Sequence, residues 1–251
     1  MEVTVLGACG TWPGPGRACS GYLVRHDGFD VWVDLGSGTL ANAQEHVDLV
    51  EIDAVIVSHS HADHFVDLLP YFYARHYALG KPMGTPLFWP PGVYERAGVL
   101  LSEETLQELS ASFLIHEVEP GTAFDLGPFR VTTEPMAHPV PTLGVRFEVE
   151  GRALAYTADS GPAPEVPKLA RGADVLLADA TWQAGTGEFP PGIHMTDREA
   201  GEAAREAEVG RLVLTHIWPS LDPNRSREQA AEAFGAEVEV AQEGMTIEVG
   251  P

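Results

Sequence analysis

The residues Ser58-His59-Ser60-His61-Ala62-Asp63-His64 directly follow the apolar run Ala54-Val55-Ile56-Val57. Three imidazoles and a carboxylate thus stand together just after what reads as a buried strand. A strand end followed by a tight loop can aim His59 and His61 at one point, and Asp63 and His64 at a second point close by. Two adjacent points lined with N and O donors suit a pair of divalent metal ions. The plain alternative is a solvated His-rich loop, and residues further along weigh against it. His138 follows the run 129–133, Asp159 follows 153–157 and His216 follows 211–215. Each is polar at the end of an apolar strand, where layered α/β folds carry their sites. Taken singly, each reads as a hydrogen-bonded structural residue. Together with the first cluster they complete two metal shells, with Asp159 as the bridge because a carboxylate has two oxygens.

The elements that must position these groups are legible as alternating strands and helices. Strands are expected over 1–6, 21–34 (a hairpin turning at His26-Asp27-Gly28), 54–58, 129–133, 143–150, 152–157, 174–178, 211–215 and 245–249. The pair 143–150 and 152–157 turns at Glu150-Gly151. Helices are expected over 40–50, over 65–79 with a kink at Pro70, and over 103–112. Two more carry capping boxes, Thr196 with Glu199 and Ser226 with Gln229. The Pro-, Gly- and aromatic-rich stretch 81–98 reads as a loop. No repeat of fixed period is present, although two diverged, similar halves remain compatible with the pattern.

Composition bounds the rest. At 251 residues and 44% hydrophobic, the chain reads as one domain spanning 1–251. No run of about 18 apolar residues suggests a membrane span. The N-terminus lacks the order of a secretory signal, and Cys9 and Cys19 alone read as reduced thiols in a cytoplasmic protein. Fifteen Lys and Arg face 37 Asp and Glu, a formal net charge of −22. A long polyanion would approach against that field, since nucleic-acid affinity rests on basic side chains at phosphates. Large nucleic acids are therefore not expected as partners.

His59-Ser60-His61-Ala62-Asp63-His64 resembles the H-x-H-x-D-H signature of the metallo-β-lactamase superfamily. The resemblance runs nearly end to end: Asp34-Leu35-Gly36 matches the family's Asp-x-Gly turn, and His138, Asp159 and His216 match its later ligands in order. It implies an α/β fold, a four-layer αββα sandwich with a dinuclear site at one edge. His59, His61, His138 and Asp159 would hold one metal, and Asp63, His64, Asp159 and His216 the other. The implied cofactors are two divalent ions, zinc first, with manganese or iron also suited to imidazole and carboxylate.

Within the superfamily, the chain is similar to the ribonuclease Z-like phosphodiesterase branch. Gly192-Ile193-His194-Met195-Thr196 and the run up to His216 resemble the corresponding region of the tRNA 3′-processing enzymes, where a His about 22 residues before the last ligand assists catalysis. The gap between His138 and Asp159 holds two strands and a turn, leaving no room for a tRNA-gripping arm. The runs 6–11, 20–24 and 216–219 resemble an armless bacterial group that includes the atypical mycobacterial cyclic-nucleotide phosphodiesterase. The resemblance implies a metal-dependent hydrolase that cleaves small phosphodiesters, such as 3′,5′-cyclic nucleotides, by attack of metal-bound hydroxide. His194 would serve the departing oxygen and Asp63 would act beside the metals. A tRNA 3′-end nuclease, or a lactonase or thioesterase on the same metals, is the alternative. A homodimer is compatible with the branch.

Asp34 and Asp179 are expected to orient the ligand histidines. Among Trp12, Trp89, Trp182 and Trp218, one or two could stack on a purine. Ser20, Gly7 and Gly10 could present backbone N–H groups to a phosphate, or simply form a tight turn. His26, His46, His76 and His116 match nothing and read as surface residues.

Overall fold

A computed structural model describes residues 1–80 and 84–250. Strands β1 (Glu2–Gly7), β2 (Gly21–His26) and β3 (Phe29–Val33) form an antiparallel meander. β4 (Ala54–Ile56), β5 (Thr85–Trp89) and β6 (Phe113–Glu117) extend it in parallel. A second sheet repeats the scheme. β7 (Ala123–Leu126), β8 (Phe129–Pro135), β9 (Leu143–Val149) and β10 (Arg152–Tyr156) are antiparallel. β11 (Val175–Asp179), β12 (Arg211–Thr215) and β13 (Val238–Val240) then continue in parallel. β14 (Thr246–Glu248) returns to pair with β1, giving the orders 14-1-2-3-4-5-6 and 13-12-11-10-9-8-7. Each sheet has three antiparallel links followed by three parallel ones, so the two halves share one plan.

The period-two alternation of the strands assigns the layers. Val31 and Val33 point into the core between the sheets, while Trp32 points out to the helix side with Leu68 and Tyr71. In the second sheet Leu154 and Tyr156 face the inner core, and Ala153 and Ala155 face helices. The outer layer on the first sheet is α1 (Thr39–Ala43), α2 (Ala62–Phe65), α3 (Leu68–Tyr73), α4 (Val93–Leu100) and α5 (Glu103–Ser112). On the second it is α6 (Glu165–Ala170), α7 (Asp197–Glu206) and α8 (Pro223–Phe234). The expected αββα sandwich is therefore present. Its two central hairpins turn where expected, at Asp27-Gly28 (φ 50° and 77°) and Glu150-Gly151 (φ 50° and 76°). Positive φ at both central residues matches the strand twist.

Several local expectations need correction. The helix expected over 40–50 stops at Ala43. Further on, the Asp48 carboxylate takes the Val50 N–H, a side-chain bond that competes with helix. The 65–79 helix does not kink at Pro70. Pro70 sits in the first turn of α3, where its missing N–H costs nothing, and the chain then widens into a π-helical segment, Ala74–Leu79. The stretch expected as a loop over 81–98 contains β5 and most of α4, with its first three residues outside the described ones. Burial of Leu87 and Trp89 outweighs the strand-breaking Pro86. The Thr196–Glu199 capping box forms, but Ser226 lies inside α8, which starts instead on the Asp222 side chain. His26 is buried against Phe129 rather than on the surface.

Candidate metal centre

The seven residues picked out by type and position converge at one edge of the sandwich. The 57–61 segment leaves β4, and Asp63 and His64 ride on α2. His138 follows β8, Asp159 follows β10 and His216 follows β12. Both halves of the chain therefore contribute.

His59 Nε2 lies 3.2 Å from His61 Nδ1, and His138 Nε2 lies 3.0 Å from the same atom. Asp159 Oδ2 stands 3.5 Å from His59 Nε2 and 3.7 Å from His138 Nε2. Beside this group, His64 Nε2 and His216 Nε2 are 3.2 Å apart, and each lies within 3.2 Å of Asp159 Oδ1. Asp63 Oδ2 is 3.2 Å from His216 Nε2. A tetrahedral shell with bonds of about 2.0–2.1 Å spaces its donors about 3.3 Å apart. Both groups match that spacing, and Asp159 gives one oxygen to each.

Two further observations favour cations here. Asp159 Oδ1 is buried with only the His64 and His216 Nε2 atoms beside it, and neither forms a well-directed hydrogen bond to it. An orphaned buried carboxylate oxygen is costly unless a positive charge faces it. Burial pushes His59, His61 and His138 below the ordinary histidine range, leaving them neutral donors of a lone pair. At His64 burial acts the same way, but Asp159, Asp34 and Asp63 outweigh it and raise the ring. That corner attracts positive charge.

The outer nitrogens of His64, His138 and His216 are tied down. Asp34 Oδ2 accepts from His64 Nδ1 and from the Tyr156 hydroxyl, both at 2.8 Å. Its Oδ1 accepts the Ser58 N–H at 2.7 Å, so one buried carboxylate fixes both the strand end and a ring. His138 Nδ1 donates to Ile193 O at 2.9 Å. His216 Nδ1 donates to Thr181 Oγ1 at 2.7 Å, and that hydroxyl donates to Asp179 Oδ1. Such partners fix tautomer and ring direction. Asp34 and Asp179 thus stand where the sequence placed them. Tyr156 and Thr181 were not anticipated, because a Tyr in a strand and a Thr in a loop are ordinary. The only clue to Tyr156 is that a buried hydroxyl needs a partner.

His194 donates from Nδ1 to Asp179 Oδ2 at 2.8 Å. Its ring centroid lies 5.2 Å from that of His216 and 5.3 Å from that of His138. Burial pulls its basicity down, but the Asp179 charge and hydrogen bond prevail and raise it to about 9. Nε2 has no hydrogen bond among the described residues. Gly10 resolves towards packing: its N–H donates to Ile217 O, and a Cβ there would sit 2.2 Å from His216 O. Gly7 likewise abuts the Cys19 carbonyl, and Ser20 is buried. Trp89 and Trp182 are buried, while Trp12 is exposed.

Comparison with known proteins agrees with this geometry. Residues 28–217 match the β-lactamase superfamily domain. The probable metallo-hydrolase YhfI of Bacillus subtilis is 30% identical over 251 residues, 99% of this chain and all of that one. Its crystal structure, described as a metallo-β-lactamase fold protein, superposes with a TM-score of 0.88 over 99% of this chain and 98% of that one. A ribonuclease Z of Methanopyrus kandleri is 30% identical over 285 residues, covering 99% of this chain and 98% of that one. Rv1339 of Mycobacterium tuberculosis is 35% identical over 224 residues, 87% of this chain and 81% of that one. The segment between His138 and Asp159 holds only β9, its turn and β10 beyond short connections. The chain belongs to the β-lactamase superfamily, as a ribonuclease Z-like, metal-dependent hydrolase without a long arm.

Proposed function

We propose that the protein is a dinuclear phosphodiesterase acting on small diesters, with 3′,5′-cyclic nucleotides the first choice. In this reading His59, His61, His138 and Asp159 hold one divalent ion, zinc first. Asp63, His64, Asp159 and His216 hold the second. When bound, the ions supply charge neutralisation at the phosphoryl oxygens and a nucleophilic water at neutral pH. The protein supplies the rest. Asp34, Ile193 O and the Thr181–Asp179 pair hold three of the imidazoles in orientation. In this reading His194, held by Asp179 at Nδ1, gives its proton to the departing alkoxide and takes one back before the next turnover.

The observation that carries the reading is the Asp179–His194 pair beside the two ligand groups. An alkoxide leaving phosphorus is a poor leaving group and gains from an acid, whereas the thiolate leaving a thioester gains little. The net charge of −22 supports a small substrate over a long polyanion. The nuclease reading keeps one argument in its favour, the likeness to a ribonuclease Z along nearly the whole chain. Purified protein loaded with zinc or manganese is assayed on bis-p-nitrophenyl phosphate, cyclic AMP, a simple lactone and a tRNA precursor. Turnover of the two diesters with the precursor left intact is expected. Hydrolysis of the lactone alone, or cutting of the precursor alone, would overturn the proposal.

A further inference from the structure

Only two of the five tryptophans present an indole face away from the core. Trp32, Trp89 and Trp182 are buried, Trp218 is half-buried, and Trp12 is 41% exposed. Trp12 and Trp218 meet at the rim of the ligand groups, with ring centroids 5.4 Å apart and planes tilted by 46°. Each is tied to a candidate ligand through very few atoms. Trp218 lies two residues after His216, and its Nε1–H donates to Thr11 Oγ1 at 3.0 Å. Thr11 in turn gives its backbone N–H to Asp63 Oδ2 at 2.8 Å. The residue after Thr11 is Trp12.

The backbone holds this arrangement stiffly. Thr11 sits in the left-handed region at φ 64°, a conformation that costs a non-glycine residue about 1–3 kcal/mol. It sharply redirects the chain between the bond to Asp63 and the exposed ring. Pro13 and Pro15 remove freedom from the loop, and a Cβ at Gly14 would touch Pro219 at 3.1 Å, so the loop lies against the 218–219 segment. An exposed ring on a preorganised loop loses little entropy when it takes a partner.

We propose, resting on the diester reading above, that Trp12 and Trp218 form a stacking platform for the nucleobase of a nucleotide substrate whose phosphate is drawn to the ion that Asp63 and His216 would help hold. Stacking recognises a base through its π-face and needs no formal charge. That suits a chain whose 37 acidic residues outnumber its 15 basic ones. The platform selects nucleotides as a class and tolerates different bases, purines most strongly because of their larger face.

The test uses metal-loaded protein and equilibrium binding of adenosine 5′-monophosphate and ribose 5-phosphate, which share the phosphoribosyl part and differ in the base. Wild type is expected to prefer the nucleotide. In Trp12→Ala that preference falls about 5- to 150-fold, the range of one base–aromatic stack. Trp12→Phe, which keeps a smaller ring, retains most of it and controls for loop collapse. Equal affinities in the wild type, or a preference that survives Trp12→Ala, would overturn the platform. If the preference behaves as expected while no diester is turned over, the platform stands and the proposed activity falls. If diesters are cleaved with no base preference, the reverse holds.

Discussion

At the scale of single residues, the chemistry rests on carboxylates that each serve more than one partner. Asp159 faces both ligand groups, Asp34 secures His64, Ser58 and Tyr156, and Asp179 serves His194, Thr181 and Ser160. His194 is the group whose role separates most cleanly from metal binding. His194→Gln is expected to lower kcat on cyclic AMP by about 10²-fold or more, the usual range for a lost general acid. Metal content measured by atomic absorption should stay at the wild-type value. Unchanged turnover would restrict His194 to holding the 193–196 loop. The ligand candidates were legible because histidines and aspartates at strand ends are few and their spacing is specific. Tyr156, Thr181 and Thr11 were not legible, since each acts through a contact with a residue far away in the chain.

At the scale of elements, strand ends that reach the site bend through unusual backbone. Asp34 after β3, Ala158 after β10 and His216 after β12 all have positive φ, at 57°, 52° and 60°. Those bends aim side chains off the sheet edge, and non-glycine residues there store strain beside the candidate centre. The opposite end of the sandwich shows the same conformation without a positioning role for any ligand. Glu150 at φ 50° opens the β9–β10 turn. Asn is the favoured residue there when Gly follows, as Gly151 does. Glu150→Asn is therefore expected to stabilise by about 0.5–1 kcal/mol, raising Tm by roughly 1–4 °C in calorimetry. A lower Tm would instead give the larger share to the 3.6 Å approach of Glu150 to buried His26. Both central hairpins were readable from the sequence because their turns are local. β5, β6 and α4 were missed because their strand or helix character comes from packing on neighbours, as Leu87 and Trp89 show.

At the scale of the whole molecule, the ligand groups lie across the seam between two similar halves. His59, His61, Asp63 and His64 come from the first half, and His138, Asp159 and His216 from the second. Ions held there would cross-link the two sheets, so binding should appear as stability as well as activity. Dialysis against a chelator is expected to abolish diester hydrolysis. It should also lower Tm by roughly 5–10 °C for each ion lost, corresponding to about 2.7 kcal/mol per ion at a metal concentration of 100 Kd. Zinc or manganese added back should restore both, followed by calorimetry and assay on one sample. A Tm indifferent to the chelator would mean that the halves hold together without ionic help. Acidity belongs to this scale too, because −22 is a property of the surface as a whole.

The sequence by itself determined the donor inventory, the order of strands that carry it and the acidic field around it. Those features depend on residue type and on spacing along the chain, both printed in the primary structure. Only the folded molecule decided that Asp179 reaches both His194 and Thr181, and that Asp34 reaches Tyr156 across 122 residues. It also decided that two tryptophans more than 200 positions apart share one rim. Such pairings follow from how two sheets are laid face to face. No local propensity records which distant strand ends will meet at the edge of a sandwich.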